Sequence, residues 1–311
     1  MRQARRLVRI SRLVSILTAA LAASSAHAVD GVVEINQARA DAGNITPGDA
    51  PGLPVTISAN GSYRLTGNLT ASNKDTSGIV LTTEATNVDI DLNGFAIQGP
   101  VTCTVTTSVS CAPSGGSGFG ILGNTDLGTS LRVHDGTVRG MGSFGIAGDD
   151  STLTVDHVIA EQNGGSGITF AELVTNCIAQ RNGSGGIVAV VIRDSMAISN
   201  GGVGLSGSLV TGSEAAYNFG NGITLSSSAG TGGSAIGNSS HDNALAGISA
   251  TSALVLDNNA RNNGHEGLLS TGGVGYARNV FSGNNGAGAE VGGSPVQLGA
   301  GTNLCNGALC P

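Results

Sequence analysis

Ala197-Ile198-Ser199-Asn200-Gly201-Gly202-Val203-Gly204-Leu205 returns 18 residues later as Ala215-Ala216-Tyr217-Asn218-Phe219-Gly220-Asn221-Gly222-Ile223. Outward from these two copies the same Gly-[Ile/Leu] pair stands at Gly120, Gly145, Gly167, Gly186, Gly247 and Gly267, and in degenerate form at Gly288-Ala289. Four residues before seven of these glycines is an asparagine: Asn163, Asn182, Asn200, Asn218, Asn243, Asn263 and Asn284. Alignment on the asparagines exposes a core. Eight residues earlier come Val155, Val174, Ile192, Val210, Ala235, Val255 and Tyr276, and three residues earlier mostly alanine. Each repeat thus offers three apolar points: a β-branched residue, a small residue, and the Ile or Leu after the glycine. Three short strands per turn, each with one inward side chain, fit this pattern, and no segment sustains a 3.6-residue period. The expectation is an all-β parallel β-helix.

Coils of such a fold stack about 4.8 Å apart. An asparagine at one corner of each coil can hydrogen-bond to those above and below, and it tolerates the left-handed backbone of a tight corner. A second corner column, six residues before each asparagine, reads His157, Asn176, Asp194, Gly212, Gly237, Asp257 and Arg278, and turn formers dominate it. The open ends of a solenoid need covers. Glu34–Ala42 reads as a cap helix with Ile35, Ala38 and Ala42 on one face, and residues 100–118 as a projecting loop. Strand-like runs are Val55–Ser58, Ser62–Leu69, Ile79–Thr82 and Val88–Leu92.

Composition agrees with a thin, repetitive core. There are 51 glycines, no tryptophan and 3% aromatic residues, yet 40% of the chain is hydrophobic. Five arginines in Met1–Arg12, the apolar run Leu13–Ala23 and Ala26-His27-Ala28 form a signal-peptide pattern over 1–28. That predicts a secreted or periplasmic protein that does not span the membrane after cleavage. Residues 29–60 read as the N-terminal cap region and 61–311 as the β-helix with its C-terminal cap. Without the signal arginines, nine basic residues face 21 acidic ones, a net of −12. So acidic a chain with no basic stripe excludes nucleic acid as a partner. Of the five cysteines, Cys103 and Cys111, and Cys305 and Cys310, are spaced for local bridges in an oxidising compartment. Cys177 shares a repeat position with Val158 and Ser195 and reads as a small buried thiol.

The repeat as a whole resembles those of the pectin lyase-like superfamily over about residues 78–300. The resemblance implies a right-handed parallel β-helix. By analogy it implies polysaccharide lyases, hydrolases, esterases, epimerases or non-catalytic phage and adhesin modules. Candidate chemistry sits in acidic positions after the repeat glycines: Asp126, Asp149, Asp150 and Glu172. Three consecutive coils hold these carboxylates at nearly one angular position, roughly 5–10 Å apart by strand spacing. That suits a general acid and base in glycoside hydrolysis, or shared ligation of Ca²⁺. Asn124-Thr125-Asp126 and Gly148-Asp149-Asp150 resemble motifs of polygalacturonase-type hydrolases, and the three aspartates would then be catalytic. The Gly-His-Gly and Arg-Ile-Lys motifs of that family are absent. A lyase base would have to be Arg132, Arg139 or Arg193, since Lys74 is the one lysine. His134-Asp135 with Arg139, and Asp156-His157, group on neighbouring coils. Phe119 and Phe144, with Phe170 nearby, are placed to stack. The function expected is binding or processing of polysaccharide; the alternative is a structural or adhesive module.

Overall fold

The computed structural model describes residues 31–123, 129–148, 152–225, 232–299 and 301–311. The segment expected to be a signal peptide lies outside them, as do Asp126, Asp149 and Asp150. The described chain is a parallel β-solenoid of about 11 turns with almost no helix, the architecture that the pectin lyase-like resemblance implies. Among the described residues no helix is long and apolar enough to cross a membrane.

Parallel strands of successive coils align in register, residue upon residue. A first column carries the residue after the repeat glycine, with Ile187↔Leu205, Leu205↔Ile223 and Ile223↔Ile248 in register. A second aligns Val174↔Ile192, Ile192↔Val210 and Val210↔Ala235. A third aligns Ala179↔Ala197, Ala197↔Ala215 and Ala215↔Ser240. Strands of three residues predominate, but Ser130–Arg139 and Thr152–Glu161 each run ten residues through the second and third columns. The aligned apolar residues, from Ile79 to Leu268 in the first column, are fully buried. One rung is thin, so small aliphatics from neighbouring coils fill the centre by direct contact.

The asparagines form a continuous ladder. Nδ2 of Asn163, Asn182, Asn200, Asn218, Asn243 and Asn263 each donates to Oδ1 of the next, at 2.8–3.0 Å. The same Oδ1 accepts the preceding asparagine's backbone N–H, as in Asn200 N to Asn218 Oδ1 at 3.0 Å. The second Nδ2 hydrogen goes to a backbone carbonyl such as Ala197 O at 2.9 Å. Glu290, buried, ends the ladder by accepting from the N–H and Nδ2 of Asn284.

One expectation is corrected here. The ladder asparagines do not take the left-handed backbone. The residues just before them do: Gln162, Arg181, Ser199, Tyr217, Asp242 and Asn262 have φ of 52° to 56°. The bend at that residue turns the next side chain inward, which is why the asparagines are buried. The other corner column behaves as expected, from His157 at φ 51° to Arg278 at 56°.

A second ladder follows that corner. Asn238, Asn258, Asn279 and Asn303 bond in the same way at 2.9–3.0 Å. In earlier coils the column reads Val158, Cys177, Ser195 and Ser213. There Ser213 Oγ accepts Ser195 N–H and Ser195 Oγ accepts Cys177 N–H, each at 3.2 Å.

The N-terminal helix is shorter than expected. Val32–Ile35 is a strand, Asn36 caps the helix by accepting Arg39 N–H at 3.1 Å, and the helix covers Gln37–Ala42. Its buried residue is Ala40, whereas Ala38 and Ala42 are exposed. The segment expected as a loop contains an antiparallel hairpin, Thr102–Val105 with Val109–Ala112. Cys103–Cys111 crosses that hairpin and Cys305–Cys310 closes the C-terminal one. Strand pairing across Cys103 and Cys111 gives the insertion the order that composition alone hid.

Candidate functional site

Three phenylalanines gather at the first column on consecutive coils. Phe119 and Phe144 stand two residues before the inward Ile121 and Ile146, and Phe170 two residues after Ile168. Ring centroids are 5.8 Å apart for Phe119–Phe144 and 6.5 Å for Phe144–Phe170, both edge to face. With the outward Leu122 and Ala147 they line a hollow of about 140 Å³. Phe170 is 59% exposed and left-handed at φ 55°, a backbone that bulky residues rarely adopt. In the sequence the candidate acids follow closely on the residues that line this hollow. Asp126 is four residues past Leu122, Asp149 two past Ala147, and Glu172 two past Phe170. Glu172 itself is exposed on strand Ile168–Thr175.

A group of charged side chains lies on the outer face of the second column. Alternation turns Asp89, Asp91, Arg132 and His134 outward, and register sets Arg132 beside Asp89 and His134 beside Asp91. His134 Nδ1 is 2.7 Å from Asp135 Oδ2, and its Nε2 is 3.4 Å from Asp89 Oδ1. Asp91 accepts from Arg64 Nε and from Asn93 N–H, each at 2.7 Å. One ligand atom from each of Asp91, His134 and Asp135 would fall within 4.8 Å of the others. The imidazole makes this set unlike an all-oxygen Ca²⁺ cage, and each member already has a partner. Asp89, Asp91 and Arg64 were missed in the sequence. Aligning Val88-x-Ile90 with Leu131-x-Val133 would have found the aspartates.

The other expected groupings resolve differently. Arg139 donates to Gln98 at 2.8 Å and belongs to the third column, not to His134. Asp156 accepts from Thr175 at 2.7 Å and Asn176 at 3.2 Å as well as standing 3.0 Å from His157 Nδ1. Burial pulls the Asp156 carboxyl upward, and these three hydrogen bonds outweigh it, holding it below the usual aspartate range.

Cys177 is free and buried. Its Sγ donates to Thr175 O at 3.1 Å and accepts Val158 N–H at 3.5 Å. Burial pushes the thiol up to about 12. The neutral form therefore favours the folded state, and the stability it contributes is intact below about pH 9 and is lost as pH rises toward 12. Cys177→Ser, which copies Ser195 in the same column, is expected to flatten that alkaline limb of the stability curve while folding normally. Urea unfolding of both proteins from pH 8 to 11 checks this; identical limbs would refute it.

No family model matches the sequence, and no curated protein matches it. Solved structures that match include the A-module of the Azotobacter vinelandii mannuronan C-5 epimerase AlgE4, at 17% identity over 74% of this chain and 61% of that one, TM-score 0.38. The Dettilon tailspike protein matches at 13% identity over 78% and 63%, TM-score 0.43. The periplasmic alginate epimerase AlgG matches at 10% identity over 81% and 76%, TM-score 0.37. The chain spans less than two thirds of the first two of these.

Proposed function

We propose that the chain is an exported polysaccharide-binding β-helix that hydrolyses glycosidic bonds beside the Phe119–Phe144–Phe170 row. The observation that carries this reading is the row itself: three aromatic rings on consecutive coils, with Asp126, Asp149 and Glu172 following its lining residues by two to four positions in the sequence. Aromatic edges and faces pack on the C–H surfaces of sugars while excluding water. One carboxyl group, among Asp126, Asp149, Asp150 and Glu172, then protonates the leaving oxygen, and another activates water or attacks the anomeric carbon. Carboxylates one coil apart would lie about 5 Å from one another, a retaining distance, and two coils apart about 10 Å, near the inverting range. Ca²⁺ shared by the same carboxylates is the accessory role. Two disulfides and the signal-peptide pattern support an oxidising location. The coil in this reading has three strands, and the Gln37–Ala42 helix serves as the cap.

The experiment is a screen of neutral and uronic polysaccharides, with and without Ca²⁺. Asp149→Asn/Asp150→Asn is expected to lower turnover by about 100-fold or more, and Phe170→Ala to weaken binding about tenfold. A protein that neither binds nor cleaves any of them is not what we propose. The second reading, an adhesive module, has its own support in the outer first-column face beyond the phenylalanines, where Val188, Ser206, Thr224 and Ser249 carry no charge. Binding without turnover, unaffected by the double substitution, would favour it.

A further inference from the structure

We propose that the cleft between the tip of the disulfide hairpin and the corner carrying Tyr217 and Asp242 binds a neutral saccharide unit. This adds a second site to the polysaccharide reading and does not need the phenylalanine row to be correct.

The hairpin lies along the stack, over the residues that follow the ladder asparagines. Both sulfurs of Cys103–Cys111 sit against Asn163 O, at 3.7 and 3.9 Å. A Cβ on Gly183 would be 3.0 Å from Cys111 Sγ, and one on Gly201 would be 3.4 Å from Val109 Cβ. Glycine is thus present where the hairpin passes. One coil further the same position is Phe219, and there the hairpin ends. Between its tip, Val105 and Thr106, and the corner residues Ser199, Tyr217 and Asp242 is a cleft of about 310 Å³, which Phe219 also lines. That volume is at the lower end of small-ligand sites.

The corner is held in shape by His241. The ring is buried, with Nδ1 2.8 Å from Asp242 Oδ2 and Nε2 3.0 Å from Glu214 Oε1. It also meets the Tyr217 ring edge to face, with centroids 5.8 Å apart. One imidazole therefore orients both an aromatic ring and a carboxylate toward the cleft. Tyr217 stays 55% exposed at φ 56°. Other coils fill this left-handed position with Gln162, Arg181, Ser199, Asp242 and Asn262, none of which carries a ring.

The chemistry presented is an exposed ring, a carboxylate acceptor, and the hydroxyls of Thr106 and Ser199. A sugar matches it, with a C–H face for the ring and hydroxyl donors for Asp242. Asp242 and Glu214 disfavour an anionic unit, so a uronate is the wrong substrate class for this cleft.

The chain supplies its own reporter. It has no tryptophan and three tyrosines, of which Tyr63 and Tyr276 are 1% and 2% exposed. Acrylamide quenching of tyrosine fluorescence therefore reports on Tyr217. Cellohexaose, mannohexaose and xylohexaose should be compared with tetragalacturonate and chitosan hexamer. At least one neutral hexaose is expected to shield Tyr217 from acrylamide, and tetragalacturonate is not. By calorimetry Tyr217→Ala should weaken that binding about tenfold. Tyr217→Asn, whose backbone suits the left-handed corner, should show the same loss with unchanged unfolding. Phe170→Ala should leave the shielding intact. The proposal is overturned if no neutral hexaose shields Tyr217, if only the amino sugar does, or if Phe170→Ala removes the effect. Binding that needs Phe170 but leaves Tyr217 open would sink this proposal alone; shielding of Tyr217 with polysaccharide turnover and overall binding unchanged by the phenylalanine and aspartate variants would sink only the reading of the phenylalanine row.

Discussion

Asn218→Leu is expected to destabilise the solenoid by roughly 3–6 kcal/mol, from several buried groups at about 1–3 kcal/mol each. Four hydrogen bonds go together. Asn218 Oδ1 accepts Asn200 N–H and Asn200 Nδ2, both at 3.0 Å. Its Nδ2 donates to Asn243 Oδ1 at 3.0 Å and to Ala197 O at 2.9 Å. The residue is 1% exposed, so water cannot replace these partners without opening the corner. Leucine fills the volume but supplies neither donor nor acceptor. Asn218→Asp should be no better: the carboxylate still accepts from Asn200 but turns an oxygen toward Asn243 Oδ1 and Ala197 O. Asn87→Ala, an exposed strand position, serves as the comparison and should change stability by no more than about 0.5 kcal/mol. Each coil contacts only its neighbours, so the loss should be local. Hydrogen exchange should speed most between about residues 197 and 248, with the first coils little changed. Equal effects of Asn218→Leu and Asn87→Ala in urea unfolding would show that the ladder does not hold the coils together.

The fold was legible because one corner repeats the same residue in seven coils, and the three apolar points keep fixed distances from it. The second ladder was not. Its column changes from Val158 through Cys177, Ser195 and Ser213 to four asparagines, so different atoms accept the same backbone N–H and no letter recurs. The shortened helix had a local signal that was overlooked, since Asn36 is a helix-capping residue within the expected helix. The Asp89–Arg132–His134 face was readable in principle from alternation. What local sequence cannot give is the cleft at Tyr217. Its tip comes from Val105 and Thr106, more than 100 residues upstream, and only the stacking brings hairpin and corner together. The acidic candidates were found from their spacing after the repeat glycine. The phenylalanine row was half read, because Phe170 lies two residues after its inward isoleucine whereas Phe119 and Phe144 lie two residues before theirs.

The ladder also explains the glycine that announced the repeat, and Gly204→Ala is the substitution that tests the coupling. A Cβ on Gly204 would lie 2.6 Å from Nδ2 of Asn218 and 2.7 Å from Gly222 O. Both are closer than real Cβ contacts allow. The same encounter recurs along the stack, at 2.8 Å for Gly145 with Asn163 and 2.7 Å for Gly247 with Asn263. Each glycine thus makes room for the asparagine of the next coil, and the spacing Asn-x-x-x-Gly records contacts between coils. No positive φ is involved at these glycines, so the penalty is one of space. Gly222 O already accepts Leu205 N–H at 2.9 Å, and it cannot retreat without stretching that bond. Overpacking of this kind costs about 1–3 kcal/mol, and disturbance of a ladder hydrogen bond adds about 1 kcal/mol. Gly202→Ala, two residues earlier, provides the contrast. Its Cβ would meet nothing nearer than 3.4 Å, so the change should be near neutral, or stabilising by about 0.5 kcal/mol through the unfolded chain. A gap of roughly 2 kcal/mol or more between the two variants is the expected result. If both alanines unfold at the same urea concentration, the glycine is retained for some reason other than the asparagine beside it.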